Sequence, residues 1–245
     1  MNINFIHPAH YRDDGSLVQS KGLLSRLDGY LPHLGLPLLA AHTPAHHDVR
    51  ITEEYLEDID FDTPADLVAL SAQIMQIDRA KDIARVYRSR GVKTVLGGYL
   101  PSMIPDSVEG YFDSLVVGEG DGVWPHVLAD AEAGQLMSRY EATETYDLAQ
   151  LPVPRYDLIK ANRPIVYPVQ ATRGCPFRCT YCSIASVYDG GYRTRPIDHV
   201  LRDIEATGSR NINFCDDNLC EKVSYVDQLF DAMAGTKVRW GTQTT

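Results

Sequence analysis

Apolar positions in the first half of the chain alternate between strand-like runs and helix-like stripes. Asn2–Ile6 (Asn-Ile-Asn-Phe-Ile) is a short strand pattern, followed by a polar loop from His7 to Ser20 with an Asp-Asp-Gly turn. Leu31-Pro-His-Leu-Gly-Leu-Pro-Leu-Leu-Ala-Ala-His leads into a helix expected over Pro37–His46. Asp48-Val-Arg-Ile-Thr reads as a second strand and Ala65–Ser71 as a third. From Gln76 to Arg90, residues Ile77, Ala80, Ile83, Ala84 and Tyr87 share one helical face. Arg79, Asp82, Arg85 and Arg88 lie elsewhere on it, and Gly91 closes the helix. Lys93–Gly98 is a fourth strand running into paired glycines. Asp113–Val117 is a fifth, ending in Gly118-Glu-Gly-Asp-Gly, and a helix over Val123–Ala133 follows.

Strands and helices alternating at this spacing predict a parallel α/β sheet, in which ligands lie beyond the carboxyl ends of the strands. Three loops fall at that edge: Ser71-Ala-Gln-Ile-Met-Gln, Gly97-Gly-Tyr-Leu-Pro-Ser and Gly118-Glu-Gly-Asp-Gly. Glycine admits close backbone approach, and serine and glutamine offer uncharged hydrogen bonds. Each loop alone is equally a turn; three together at one edge point to a binding site.

Periodicity lapses from Gly134 to Asn162, a polar stretch with Pro152 and Pro154 that reads as a linker. A β-branched run over Pro164–Ala171 comes next. A helix beginning near Arg195 then carries Ile197, Val200, Leu201 and Ile204 on its apolar stripe and stops at Gly208. Asn211–Cys215 is a strand, Val223–Met233 a helix, and Lys237–Thr245 a final strand.

Composition sharpens this picture in two ways. The 245 residues carry a net charge of −10, which argues against nucleic acid as the default partner. No apolar stretch reaches the roughly 18 residues a spanning helix needs, and the first residues do not read as a signal peptide, so a cytoplasmic protein with no membrane partner is expected. The five cysteines all lie between 175 and 220. An odd count confined to one part of the chain points to a site and not to a disulfide framework.

That site is Thr172–Ser183, T-R-G-C-P-F-R-C-T-Y-C-S, with Cys175, Cys179 and Cys182 at C-x3-C-x2-C spacing. Thiolates are soft ligands suited to iron–sulfur clusters, zinc and Cu(I), and three on one loop leave a coordination position for something else. Zinc completed by His199, Cys215 or Cys220 is the plainer reading, although structural zinc sites usually come as two cysteine pairs.

The order of elements over the first 135 residues resembles the cobalamin-binding domain at the N-terminus of many radical S-adenosylmethionine (SAM) enzymes. The resemblance rests on Leu-Gly-Leu-Pro-Leu-Leu-Ala-Ala, the Gly97-Gly98 pair and Val116-Val-Gly-Glu-Gly. The D-x-H-x-x-G motif that gives cobalt a histidine in other cobalamin proteins is absent. The resemblance thus implies a lower cobalt face without histidine, and His46 and His47 are expected on the surface. The cysteine loop likewise resembles the start of a radical SAM domain. There the three cysteines bind a 4Fe–4S cluster whose fourth iron is open to SAM.

The resemblance implies a Rossmann-like (flavodoxin-like) cobalamin-binding domain over 1–135, a linker over 136–162, and the first half of a partial (β/α)6 barrel over 163–245. It implies that Tyr181, the aromatic residue before the last cysteine, lies near the adenine. Asp216 or Asp217, where the family often has a Gly-Gly-Glu-like motif, would hold the methionyl amino group; capping of the helix near Ser224 by Asp217 or Asn218 is the alternative. Ser71, Gln73, Gly97, Gly98 and Glu119 are the expected cobalamin contacts. The implied chemistry is reductive cleavage of SAM, hydrogen abstraction by a 5′-deoxyadenosyl radical, and methylation of an unactivated carbon of a small molecule. The electron comes from a donor such as flavodoxin or ferredoxin. Radical cyclisation, rearrangement or oxidation without methyl transfer, and a truncated binding remnant, remain open beside it.

Overall fold

The computed structural model describes residues 1–19, 30–159, 166–188 and 191–243. The expected positions of Ser20, of 160–165 and of the last two residues lie outside them. The first sheet contains β1 (Asn2–His7), β2 (Asp48–Glu53), β3 (Leu67–Ser71), β4 (Lys93–Gly97), β5 (Ser114–Val117) and β6 (Arg139–Glu141). Its order is β2-β1-β3-β4-β5-β6, and every pairing is parallel. Around it run α1 (Gly35–His42), α2 (Ile77–Ser89), the short α3 (Tyr99–Met103) and α4 (Gly120–Glu132).

Period-two alternation sorts the strand residues onto two faces. Ile6, Val68, Leu70, Leu96 and Leu115 pack with the α2 stripe Ala80, Ile83, Ala84 and Tyr87. Phe5, Leu67, Ala69, Val95 and Val116 pack with Leu36 and Ala40 of α1 and Trp124, Val127 and Leu128 of α4. All five residues of β3 are buried, as expected of a central parallel strand covered on both sides. The Trp124 indole donates to Thr43 Oγ1 at 2.9 Å, so its one polar atom is satisfied inside the core.

The second sheet has order β11-β10-β7, again parallel, from β7 (Tyr167–Val169), β10 (Asn211–Phe214) and β11 (Arg239–Thr242). Between β7 and β10 lie β8 (Thr172–Arg173), α5 (Ile184–Tyr188), β9 (Arg193–Thr194) and α6 (Ile197–Ala206); α7 (Val223–Met233) joins β10 to β11. Val200 and Ile204 of α6 and Val226 and Leu229 of α7 close its core over Val169, Ile212 and Phe214. This is a three-stranded parallel sheet with α6 and α7 packed on it, among the described residues.

Three expectations shift. The first helix covers Gly35–His42, not Pro37–His46. Its Leu36 and Ala40 face the sheet while the adjoining Leu34 and Leu38 face the 148–159 stretch, so two-sided burial hides its boundaries. Helix α4 starts at Gly120, so three of the five residues of the expected Gly118–Gly122 loop are helical, with Asp121 in the first turn, where a negative charge is favoured. The stretch expected as a linker supplies the sixth strand. It also supplies Leu148, Leu151, Tyr156 and Ile159, a core shared with Leu34, Leu38, Tyr167 and Cys215. It is the packed joint between the two sheets.

Truncating a residue of that joint is expected to cost what a core residue costs. Leu148→Ala should lower unfolding stability by about 2–5 kcal/mol in a urea titration, and Glu144→Ala, exposed in the same stretch, by under ~0.5 kcal/mol. Equal, small losses for both would return this segment to a linker.

Candidate cofactor site at the sheet edge and cysteine loop

In the first sheet, chain order reverses between β1 and β3, and the crevice beyond their carboxyl ends is where such folds take ligands. A cavity of about 420 Å³ opens there. Its deep wall is apolar, with Leu36, Leu39, Val95, Val116 and Trp124, and its rim holds Ser71, Gln73, Gly97, Gly98 and Glu119. All five residues expected as cobalamin contacts therefore meet at one cavity. Gly98 has φ +91°, and a Cβ there would stand 2.8 Å from Ser71 Oγ and 3.0 Å from the Ala72 carbonyl. Only glycine fits, and the result is bare backbone facing the cavity. An apolar slot with a neutral, hydrogen-bonding rim suits a flat, amide-fringed macrocycle with a heteroaromatic tail, so the residues present fit cobalamin.

Glu119, on the rim, is also engaged within the protein. Its carboxylate accepts from Arg173 Nη1 at 2.9 Å and from Arg193 of β9. Arg173, 6% exposed, also donates to Asp121 Oδ2 at 2.6 Å. Burial alone would raise the Asp121 carboxyl, but His42 and Arg173 beside it hold it at about 2. Ionic groups at this wall are thus spent on one another.

The sequence reading missed several lining residues. His33, Tyr99, Gln170, Arg173, Tyr188 and Cys215 all face the cavity, the last four from the second sheet or its loops. His33 sits two residues before the glycine that starts α1, just ahead of the segment carrying the family resemblance. Burial, with His7 alongside, lowers its pKa to about 4, so it is neutral at physiological pH. Among the expected surface histidines, His46 is exposed, but His47 is buried against the N-terminal end of the chain and Glu132.

The cysteine loop begins on the same wall. Thr172–Arg173 pairs antiparallel with Arg193–Thr194, bracketing the loop. Gly174, at φ +84°, turns the chain into Cys175, and a Cβ there would run into the Gly191 carbonyl. Cys175 is buried and Cys179 and Cys182 are half-buried, all three as free thiols. Asn218 Nδ2 lies 3.8 Å from Cys175 Sγ. Tyr181 is 90% exposed, its phenol raised in pKa by a hydrogen bond with Cys179.

Neither Asp217 nor Asn218 caps α7, whose N-cap is Lys222 with no side-chain bond. Asp216 is buried and accepts from the Ala171 and Thr172 N–H groups; burial still pushes its carboxyl up to about 7. Asp217 accepts from the Gly174 N–H at 2.8 Å and the Tyr99 hydroxyl at 3.3 Å. Both aspartates therefore act on the backbone entering the cysteine loop, which is why the capping alternative fails.

A zinc ion with ligands near 2.3 Å needs donor atoms within about 4.6 Å of one another. Among the described residues, three such atoms come within 4.8 Å only at His46, His47 and Glu132. Cys215 instead donates to the Val169 carbonyl, Cys220 packs on the second core, and His199 lies beside Asp198, so none completes a zinc site with the loop.

Comparisons with known proteins agree with this arrangement. The family model described as B12 binding domain matches residues 20–128. Bacteriochlorophyllide d C-8(2)-methyltransferase of Chlorobaculum tepidum is 30% identical over 181 residues, covering 71% of this chain and 40% of that protein. Hopanoid C-2 methylase of Rhodopseudomonas palustris is 26% identical over 223 residues, covering 87% and 42%. The fold matches the radical S-adenosylmethionine methyltransferase TsrM of Kitasatospora setae, solved with cobalamin and a [4Fe-4S] cluster. The TM-score is 0.67 at 13% identity, over 95% of this chain and 51% of that one. The chain spans about half the length, or less, of these relatives. The chain is thus similar to these methyltransferases and, over residues 20–128, to the B12 binding domain.

Proposed function

We propose that this chain holds a 4Fe–4S cluster on Cys175, Cys179 and Cys182, SAM beside it, and cobalamin in the sheet-edge cavity, as part of a methyltransferase acting on an unactivated carbon of a small molecule. One observation carries the reading: Arg173, two residues before Cys175, lines the cavity that Ser71, Gln73 and the glycine pair also line. The two candidate cofactor sites share a wall. The domain limits proposed are 1–135 and 163–245, with the intervening segment as their joint.

Bound there, the cluster would supply the electron that splits SAM, and cobalamin the methyl group. The electron source in this reading is a small redox protein such as flavodoxin or ferredoxin. The residues of the chain hold and orient. Gly174 and Asp217 fix the bend that presents Cys175, and Asn218 offers that sulfur a weak N–H···S bond of the kind that tunes a cluster. Tyr181 offers an exposed ring for the adenine. Asp217, less buried than Asp216, keeps free lone pairs for an ammonium group. Ser71 and Gln73 offer neutral hydrogen bonds, and Gly97 and Gly98 a close backbone approach. Glu119 contributes by holding Arg173 and Arg193.

Anaerobic reconstitution with iron, sulfide and hydroxocobalamin tests both sites. Cys175→Ala, Cys179→Ala and Cys182→Ala should each lose most bound iron and acid-labile sulfide while still retaining cobalamin. Wild-type protein whose cysteine loop takes up zinc without sulfide would overturn the cluster. For the cavity, Gly98→Ala should weaken cobalamin binding in equilibrium dialysis by roughly ten- to a hundredfold, since side chains pay on the order of 1–3 kcal/mol in that backbone region. Unchanged affinity would place cobalamin elsewhere. Methyl-labelled SAM separates the remaining readings: label on the bound cobalamin supports methyl transfer, and its absence supports cyclisation or oxidation.

A further inference from the structure

The turn between α1 and β2 carries two adjacent histidines, His46 and His47, that aim at one carboxylate at the end of α4. His46 Nε2 lies 3.2 Å from Glu132 Oε1, and His47 Nε2 lies 3.5 Å from the same oxygen. The two rings lie side by side, with centroids 4.1 Å apart and planes inclined by 41°. All three donor atoms fall within 4.8 Å of one another. The group sits at the amino ends of the strands, where the Asp48 N–H donates to the Met1 carbonyl at 3.0 Å and β1 and β2 begin. The cofactor cavity opens at the opposite edge of the sheet.

An ion pair explains only part of this arrangement. A proton on His46 accounts for its contact with Glu132, but 3.5 Å is long for a second hydrogen bond to that oxygen. Two imidazolium ions this close would also repel each other. Burial, then His46 and the Met1 ammonium, lower the pKa of His47, which leaves it a neutral imidazole. Its side chain is 1% exposed, so the ring is held in place before any ligand arrives. Two ligands of one tetrahedral zinc ion, each about 2.0–2.2 Å from the metal, stand about 3.3–3.6 Å apart, close to both separations seen here. The contacts of His7 with Glu53, His42 with Asp121 and His199 with Asp198 differ, each bringing one imidazole to one carboxylate.

We propose that His46, His47 and Glu132 form a zinc site, with solvent completing the fourth position. The proposal goes beyond the cofactor reading above and does not rest on it. Two imidazole nitrogens and a carboxylate oxygen are a donor set suited to this ion. Binding displaces the Nε2 protons to solvent. His47 Nδ1, 3.3 Å from the Met1 nitrogen, then keeps its own proton and donates it to that amine, which fixes the ring from behind. The ion clasps the turn before β2 to the last turn of α4.

Cobalt(II) titration of the full chain, prepared without a histidine tag under anaerobic conditions, tests the site apart from the cysteines. Thiolate ligation adds an intense near-ultraviolet charge-transfer band that imidazole and carboxylate do not. One equivalent of cobalt(II) should bind with visible d–d bands alone, yield to zinc, and persist in Cys175→Ala. Both His46 and Glu132 are exposed, so His46→Ala and Glu132→Gln should fold normally. Each should weaken binding by about tenfold or more, since losing even an outer partner of a metal ligand typically costs about 10–100-fold. Zinc should raise the Tm of the wild type and leave that of both variants unmoved. Unchanged affinity in both variants, uptake only with the thiolate band, or uptake only at millimolar metal would overturn the site. Each of those results leaves the cluster and cobalamin assignments standing.

Discussion

The buried guanidinium of Arg173 is the constraint on which the two halves of the molecule depend. A charge taken out of water survives only when paired and hydrogen-bonded, and removing one partner of such a pair costs about 3–5 kcal/mol. Arg173 meets that demand with Glu119 and Asp121, two carboxylates in the loop and first turn of α4, which belongs to the first sheet. Arg193, on the strand paired with Arg173, binds the same Glu119. Both strands that bracket the cysteine loop are therefore tied to one helix start across the joint. The position of Cys175 relative to the cavity follows from electrostatics two residues upstream.

A second tie runs through Asp217. One oxygen accepts from Tyr99, which follows the glycine pair of the first sheet, and the other accepts from the Gly174 N–H at the entrance to the cysteine loop. A single carboxylate thus joins the two loops that the proposed cofactors would touch. Asp216, next to it, holds the Ala171 and Thr172 amides. The adjacent aspartates thus hold successive stretches of the backbone that enters the cysteine loop, and Asp217 ties it to Tyr99 as well.

What was legible in the chain was local. Period-two strands and the stripe of α2 follow from side-chain direction alone, and Val223–Met233 appears as a helix with the limits its periodicity gives. The cysteine spacing is a local pattern too. What escaped depends on partners distant in sequence. Tyr140 on β6 reads as part of a polar stretch, because only burial against the first sheet's core distinguishes it from a linker residue. Leu148 and Leu151 lack periodicity because they plug a joint and line no helix or strand face. That Glu119 also pairs with Arg173 depends on a residue more than fifty positions away. His33 carried no signal of its own: one histidine in an apolar segment is ordinary until the cavity and Glu53 surround it.

The distribution of charge around the cavity also narrows what it can hold. The chain is strongly acidic, yet little of that charge is free where the strands end. Glu53 is consumed by His7, Tyr30 and the His33 amide, and Glu119 and Asp121 by arginines. What faces the space is neutral: a serine, a glutamine, a low-pKa imidazole, bare glycine backbone and an apolar slot. A phosphate-rich dinucleotide would find there no unpaired cation among the described residues, since Arg173 is paired with Glu119 and Asp121. A large ligand with an apolar face and neutral hydrogen-bonding edges finds each of its parts matched, and that complementarity, more than any one residue, makes the cavity a cofactor site.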